Sequence, residues 1–407
     1  MLLSATNSVK AKLINLWVVF ETIRINGPIP RSGIADETGL SKQAASDLVD
    51  ELLSIQFIRE QKISGRGVGK PPTPLDINPG GAFTLGFHVD FGQLSSVAVN
   101  LAGEVLYRED RALEDLAPAR AAVEIGRTAA RLLEATGIPR DRLLGLGLAT
   151  PGPFAVAGLS PPRLPGWDGV VLRDLLKQAT GLHVSLANDG QCAVTAEWRF
   201  GNIARRLANF VYVYVGMGLG SGVMIHSAAF GGASGNAGEF GHITVVPDGH
   251  LCICGKKGCL ETYVSVDAAM RFLSERGLEI ESMEQFKDES YASHPAVVDW
   301  IEEGVEPLRV GINTIENLFD PQTIMLGGNA PLWLIEAFFE RMEPLYPSVG
   351  RTNRDLPRLI KAELGHDAVA RGAAALPVLS KLNPQYQHLN AINTHSRTEA
   401  ASALAPP

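Results

Sequence analysis

The sequence predicts an α/β chain in two unequal parts: a small helix-turn-helix module with a β wing, then a larger α/β domain made by duplication. Three observations predict it. Two helical segments near the N-terminus meet at a glycine-containing turn and lead into two short strand patterns. Two glycine-rich strand-turn-strand segments recur, one from Phe83 and one from Asn209. Around them, buried strand patterns alternate with helical ones.

At 407 residues the chain has room for two or three domains, and 45% hydrophobic with 20% charged residues suits a globular protein with large cores. The net charge of -8 argues against wholesale coating of nucleic acid. Residues 1–77 hold nine Lys/Arg and eight Asp/Glu, a net of +1, so the remainder carries -9. The first ten residues lack the basic-then-apolar order of a signal peptide. The apolar run 16–20 is far too short to span a bilayer. Four cysteines, three of them clustered, fit a reducing compartment. A cytoplasmic location without a membrane partner is therefore expected.

Leu13, Leu16, Trp17, Phe20 and Ile23 recur at helical spacing, and Asn26-Gly27-Pro28 ends that helix. A short helix over 31–37 stops at Gly39. Ser41 caps a second helix, whose Ala45, Leu48, Val49, Leu52 and Leu53 face inward. Lys42, Gln43 and Ser46 face outward, placed for a major groove, where Ser and Gln read base edges and Lys42 meets phosphate or guanine. Asp47 reads a cytosine or pairs with a neighbour. Residues 57–60 and Pro74-Leu75-Asp76-Ile77 read as the strands of a wing. Arg66 and Lys70, on its glycine-rich tip, reach phosphates or a narrow minor groove. The alternative is a helical module for packing or dimerisation. A near-neutral module is weakly basic for DNA, so a dimer reading two half-sites is expected to supply the affinity.

From Phe83 the pattern reads strand, turn, strand, turn, strand, with Asp90-Phe91-Gly92 at the first turn. An Asp-x-Gly turn between strands is how actin-like ATPases hold phosphate and Mg²⁺. A helix over 118–136, a buried strand over 144–149 and a helix over 172–179 follow. The strand 183–187 ends in Asn188-Asp189, ahead of a helix over 193–200. Polar residues at the end of a buried strand suit ligand chemistry; the alternative is that the pair caps the next helix. The second hairpin, with Gly216-Met217-Gly218-Leu219-Gly220, mirrors the Asp90 hairpin as a duplicated actin-like fold requires. It leads into a strand and not a helix, which excludes a dinucleotide fingerprint. Helices over 265–276, 295–317 and 331–345, strands over 323–328 and 360–364, and an Ala-rich helix over 368–382 complete the domain. From 383 the Ala/Pro/Ser/Thr-rich sequence reads as a disordered tail.

Residues 238–261 are the most informative stretch. His242-x9-Cys252-x-Cys254-x4-Cys259 has metal-ligand spacing, and thiolates with an imidazole suit a closed, tetrahedral, structural zinc site. The alternatives are buried thiols or a disulfide, which would strand the third cysteine. His250 is a rival fourth ligand. Glu239 and Glu261 bracket the cluster without being natural ligands for it.

Together these residues resemble the ROK family (repressors, open reading frames, kinases) over roughly residues 7–382. The most specific part is Gly235-Asn236-Ala237-Gly238-Glu239-Phe240-Gly241-His242, followed by 252–261. Leu164-Pro165-Gly166-Trp167-Asp168-Gly169, Asn188-Asp189 and 320–328 also match, and the wing module resembles the repressor branch. The resemblance implies an actin-like, ribonuclease-H-like duplicated α/β fold with a sugar held between two lobes. It implies sugar contacts from Asn188, Asp189, Glu239, His242 and Glu261, with Asp189 at the kinases' catalytic base. His242 would bind metal through one ring nitrogen and sugar through the other.

The sequence departs from the kinase pattern at the phosphates. Gln93 and Leu94 stand where kinases carry the second glycine and the threonine of D-x-G-G-T, and Met217 replaces the hydroxyl of the second loop. Phosphoryl transfer depends on positioning and charge stabilisation there, so weak ATP binding and a vestigial base at Asp189 are expected. Arg163 replaces an asparagine and makes room for a charged or phosphorylated sugar as effector.

The expected organisation is a winged helix-turn-helix over 1–80, a first lobe over 81–200 completed by 365–382, a second lobe over 201–364 with the zinc site and an oligomerisation surface, and the tail 383–407. The expected function is a sugar-responsive transcriptional regulator, a repressor in its leading form, that releases operator DNA when sugar or sugar phosphate binds. It would act as a homodimer or homotetramer. The alternatives are an ATP-dependent sugar kinase with a DNA-binding appendage, and a regulator whose effector is a sugar-transport protein.

Overall fold

The computed structural model describes residues 8–61, 73–153, 167, 172–350, 353–384 and 386. Helix α1 (Ser8–Asn26) buries Leu16, Val19, Phe20 and Ile23. Leu13, expected inside, is exposed; Val19, one helical turn before Ile23, fills the core instead. Strand β1 (Ile29–Pro30), helix α2 (Arg31–Thr38) and helix α3 (Lys42–Ser54) follow. The Ser41 hydroxyl accepts from the Ala44 N–H at 3.2 Å, the cap that starts α3. Strands β2 (Ile58–Glu60) and β3 (Pro74–Ile77) pair antiparallel, and β1, absent from the sequence reading, adds to the other edge of β3. The wing tip, with Arg66 and Lys70, lies outside the described residues.

The large domain carries two five-stranded sheets of one plan. The first holds β4 (Phe83–Asp90), β5 (Gln93–Asn100), β6 (Val105–Ala112), then helix α4 (Pro118–Thr136), β7 (Leu143–Thr150), helix α5 (Leu172–Thr180) and β8 (Val184–Asn188). Helix α6 (Asp189–Phe200) leads to the second: β9 (Phe210–Val215), β10 (Leu219–Ile225) and β11 (Ala228–Ala229). Helices α7 (Glu261–Val264), α8 (Val266–Ser274), α9 (Met283–Phe286) and α10 (Pro295–Phe319) intervene before β12 (Ile324–Gly328), helix α11 (Leu332–Arg341), β13 (Leu359–Lys361) and helix α12 (Ala368–Leu382). The orders are β6-β5-β4-β7-β8 and β11-β10-β9-β12-β13. In each sheet three antiparallel strands are followed by two parallel ones at the corresponding positions, which is the signature of duplication. Helix α12 follows the second sheet yet packs on β4, β7 and β8 of the first. Its alanines let it approach closely.

Several boundaries differ from expectation, each for a local reason. Helix α6 begins at Asp189 and not 193, because Asn188 caps it. The helix expected over 265–276 is α8, capped by Ser265, whose hydroxyl accepts from Ala268 N–H at 3.1 Å, and the short α7 precedes it without having been expected. Helix α11 stops at Arg341, four residues early, and β13 covers only 359–361. Asn383, Pro384 and Tyr386, assigned to the tail, stay with the fold: Asn383 is buried, its N–H donates to the Leu379 carbonyl, and Tyr386 packs on the core. The rest of the tail lies outside the described residues. Among the described residues no helix is long and apolar enough to cross a membrane.

Candidate sugar cavity and metal cluster

The ends of β4, β8, β9 and β10 converge on a cavity of about 80 Å³. All five residues expected to contact sugar line it: Asn188, Asp189, Glu239, His242 and Glu261, joined by Asp90, Tyr214 and Ser221. Asn188 caps α6, its side-chain oxygen accepting from Gln191 N–H at 2.7 Å, and the residue also lines the cavity. Glu261 opens α7 and accepts from the Leu219 N–H at 3.1 Å. Glu239 follows Gly238, whose φ of +98° and closeness to the Ser221 carbonyl, 2.1 Å from where a Cβ would lie, admit only glycine.

The cavity is acidic: Asp90, Asp189, Glu239 and Glu261 line it, and no Lys or Arg does among the described residues. Burial, with the Glu261 charge adding to it, pushes the Asp189 carboxyl up to about 6. Burial, then Asp189 and Glu261, push Glu239 up to about 7. Near neutrality the group therefore retains protons, and a carboxylic acid beside a carboxylate both donates and accepts hydrogen bonds. Tyr214, missed in the sequence, adds a buried phenol with no hydrogen-bond partner among the described residues. Its signal was the alternation of Tyr212 and Tyr214 on one face of a strand ending at Gly216. The two phosphate-side positions point elsewhere. Leu94 is buried in the core under the first sheet, and Met217 packs against the core of the second.

Behind the cavity wall, one ligand atom each from His242, Cys252, Cys254 and Cys259 lies within 4.8 Å of all the others. Cys254 Sγ is 3.5 Å from Cys259 Sγ, and Cys252 Sγ is 3.6 Å from His242 Nδ1. Tetrahedral ligation at metal–ligand distances of about 2.3 Å (sulfur) and 2.1 Å (nitrogen) gives edges of about 3.8 and 3.6 Å, so the donor set fits a zinc-like ion. All three thiols are free, which sets aside the disulfide. His250 is not in the group; its Nε2 meets Glu303 at 3.1 Å and its ring packs on Tyr263. His242 directs Nδ1 at the cluster and Nε2 towards Glu239, 4.0 Å away.

In the N-terminal module, Lys42 and Gln43 are exposed at the start of α3. Ser46, expected to be free for base contact, is half-buried, and its hydroxyl accepts from Arg31 at 2.8 Å. Arg31, the first residue of α2, also pairs with Asp50 and so ties the two helices together. Asp47 pairs with a neighbour, accepting from the Gln43 amide at 2.7 Å. Arg163, like most of the 164–169 motif, lies outside the described residues.

Residues 89–378 match the sequence model of the ROK family. The chain is 26% identical over 404 residues to a putative xylose repressor of Caldicellulosiruptor sp. (strain Rt8B.4), covering 92% of this chain and 98% of that one. Its structure is similar to the crystal structure of a ROK family transcriptional regulator described as a homolog of the E. coli MLC protein, at a TM-score of 0.72 and 25% identity, over 90% of this chain and 96% of that one. It is also similar to a ROK family glucokinase from Streptomyces griseus, in complex with glucose and AMPPNP, at a TM-score of 0.59 and 26% identity, over 72% of this chain and 99% of the glucokinase.

Proposed function

The chain belongs to the ROK family, and from that premise we propose that it is a sugar-responsive DNA-binding transcriptional regulator, a repressor that sugar releases from its operator. One observation carries this reading: a helix-turn-helix module shares a chain with a sugar-suited cavity whose phosphate-side hydroxyls are replaced by Leu94 and Met217, both turned into hydrophobic packing. Similarity to the xylose repressor over 92% of the chain, against 72% for the glucokinase, supports it.

The effector is a neutral sugar. Four carboxylates repel a phosphate, whereas acids, an amide and a phenol pair with hydroxyls that donate and accept. Asn188, Asp189, Glu239, His242 and Glu261 make those contacts. His242, Cys252, Cys254 and Cys259 hold zinc. A closed four-ligand site supplies no reaction; its contribution is to fix the His242 ring and the start of α7, hence Glu261, at the cavity wall. Lys42 and Gln43, with Arg66 and Lys70 of the wing, contact DNA, and two copies read paired half-sites. The module extends to about residue 80, one lobe covers 81–200 and 365–382, and the other covers 201–364.

Asp90 and Asp189 remain, and an acid of pKa about 6 suits a general base, so a kinase is the second reading. The test is a melting-temperature screen with D-xylose, D-glucose and glucose 6-phosphate, paired with an ATP-turnover assay. A neutral sugar is expected to raise the melting temperature and the phosphate ester to leave it unchanged. ATP-dependent phosphorylation at about 1–100 s⁻¹ would make the protein an enzyme.

A further inference from the structure

Helix α6 starts in the cavity and ends against the DNA-binding module. Asn188 and Asp189 stand at its start. At its end Arg199, 5% exposed, is ion-paired with Glu21 of α1, 8% exposed and 178 residues away in sequence. Glu21 also accepts two bonds from Arg24, at 2.9 and 2.7 Å. Arg24 in turn donates to the carbonyls of Trp198 and Arg199 at 3.2 and 3.1 Å, so a cation from α1 closes the open C-terminal end of α6. The guanidinium of Arg24 lies 4.8 Å over the Trp198 ring, whose centroid is 6.5 Å from that of Trp17.

A buried ion pair is an inefficient adhesive, because desolvation offsets most of its attraction. Its particular property is direction: charge-assisted hydrogen bonds hold one orientation and do not slip as apolar contacts do. We propose that α6 carries the state of the cavity to the DNA-binding module, with Glu21, Arg24 and Arg199 as its joint. The proposal rests on the sugar-responsive reading above. Twelve helical residues span about 18 Å, and nearly every side chain of α6 is buried, so the helix moves as one body. It lies against both β10 of the second sheet and α12, where Gly372 leaves room for the Cys192 carbonyl, 1.8 Å from where a Cβ would be. A shift between the lobes is thus a shift of α6.

The other contacts of the module do not begin at the ligand. It rests on Val378 and Leu382 of α12, and Arg142 reaches Gln56, but none of these lines the cavity. Strands β4 and β7 do run from the module to the cavity, β4 to Asp90 and β7 from Leu144, which packs on the module, to Pro151 and Gly152. Each is hydrogen-bonded on both sides, β4 to β5 and β7 and β7 to β4 and β8, so both are fixed in their sheet.

The test uses the full chain in three forms: wild type, Arg24→Met, and the double variant Glu21→Leu/Arg199→Met, which replaces the pair by apolar side chains and leaves Arg24 only its bonds to the carbonyls of residues 198 and 199. Affinities for D-xylose and D-glucose, and for a duplex selected by the wild-type protein from a random-sequence pool, are measured with and without the other ligand. In the wild type each ligand is expected to weaken the other by the same factor, of order 5–150. In both variants sugar affinity is expected to stay within about twofold of wild type while the coupling factor falls below about 2. Full coupling in both variants overturns the proposal. Loss of sugar binding in both overturns it too, by making the cluster a packing feature. Absence of coupling in the wild type removes the sugar-responsive reading itself, so the two failures are distinct.

Discussion

Glu197 shows how a single buried carboxylate sets a pH dependence. It lies on α6, and its Oε1 accepts from the N–H groups of Glu363 and Leu364, both at 2.9 Å, while Oε2 has no partner among the described residues. Burial pushes its pKa up to about 7; the two N–H bonds hold it down and the Glu363 charge raises it further. A folded-state value above the unfolded one stabilises the fold fully below about pH 4.5, and that stabilisation is lost as pH rises through about 7. A shift of this size corresponds to about 3 kcal/mol. The melting temperature is therefore expected to fall more steeply between about pH 4.5 and 7 in the wild type than in Glu197→Gln; parallel profiles would remove Glu197 as the cause. At the cavity, the phenol of Tyr214, without a hydrogen-bond partner among the described residues, predicts that Tyr214→Phe weakens neutral-sugar binding by about tenfold, the worth of roughly one hydrogen bond of 1–1.5 kcal/mol. Unchanged affinity by calorimetry would take Tyr214 out of the contact set.

At the scale of elements, the loop 238–261 ties the candidate metal cluster to the cavity. Cys252, Cys254 and Cys259 gather on His242, which with Glu239 and Glu261 lines the cavity. Cys254→Ala is expected to lower metal content, melting temperature and sugar affinity together, because metal binding is coupled to the folding of the segment that carries its ligands. Normal zinc content by atomic absorption would remove Cys254 from the ligand set. This loop was legible in the sequence because its donors fall within eighteen residues and soft ligands have few other uses. The duplicated hairpins were legible too, since each is local and glycine-marked. The start of α6 was not: Gly190 and Gln191 read as loop, and only the Asn188 cap makes them helical. The bond from Arg31 to Ser46 was not legible, because the two residues sit on different helices. The contact of Arg199 with Glu21 left no trace in any window of the sequence, since two segments 178 residues apart must fold before it exists. Local chemistry was readable, and long-range pairing of charges was not.

At the scale of the whole molecule, charge decides how DNA is bound. The first 77 residues carry a net of only +1 and the remainder -9, so one module on one half-site gains little from phosphate neutralisation and brings an acidic body near the duplex. On the proposed reading, affinity comes from two modules held at a fixed separation, and half-site spacing is then a geometric requirement of about 34–36 Å or a multiple of it. Spacing is then what ligand-driven movement can spoil. Two results are expected from binding isotherms across a salt series. A duplex with a single half-site should bind at least about a hundredfold more weakly than the paired site, as expected when the second contact is made intramolecularly. Arg66→Ala/Lys70→Ala should reduce the slope of log affinity against log salt by roughly 2 per module, because each lost phosphate contact removes about 0.9. An unchanged slope would remove the wing from the phosphate contacts, and equal binding to single and paired half-sites would mean that lobe movement has no spacing to disrupt.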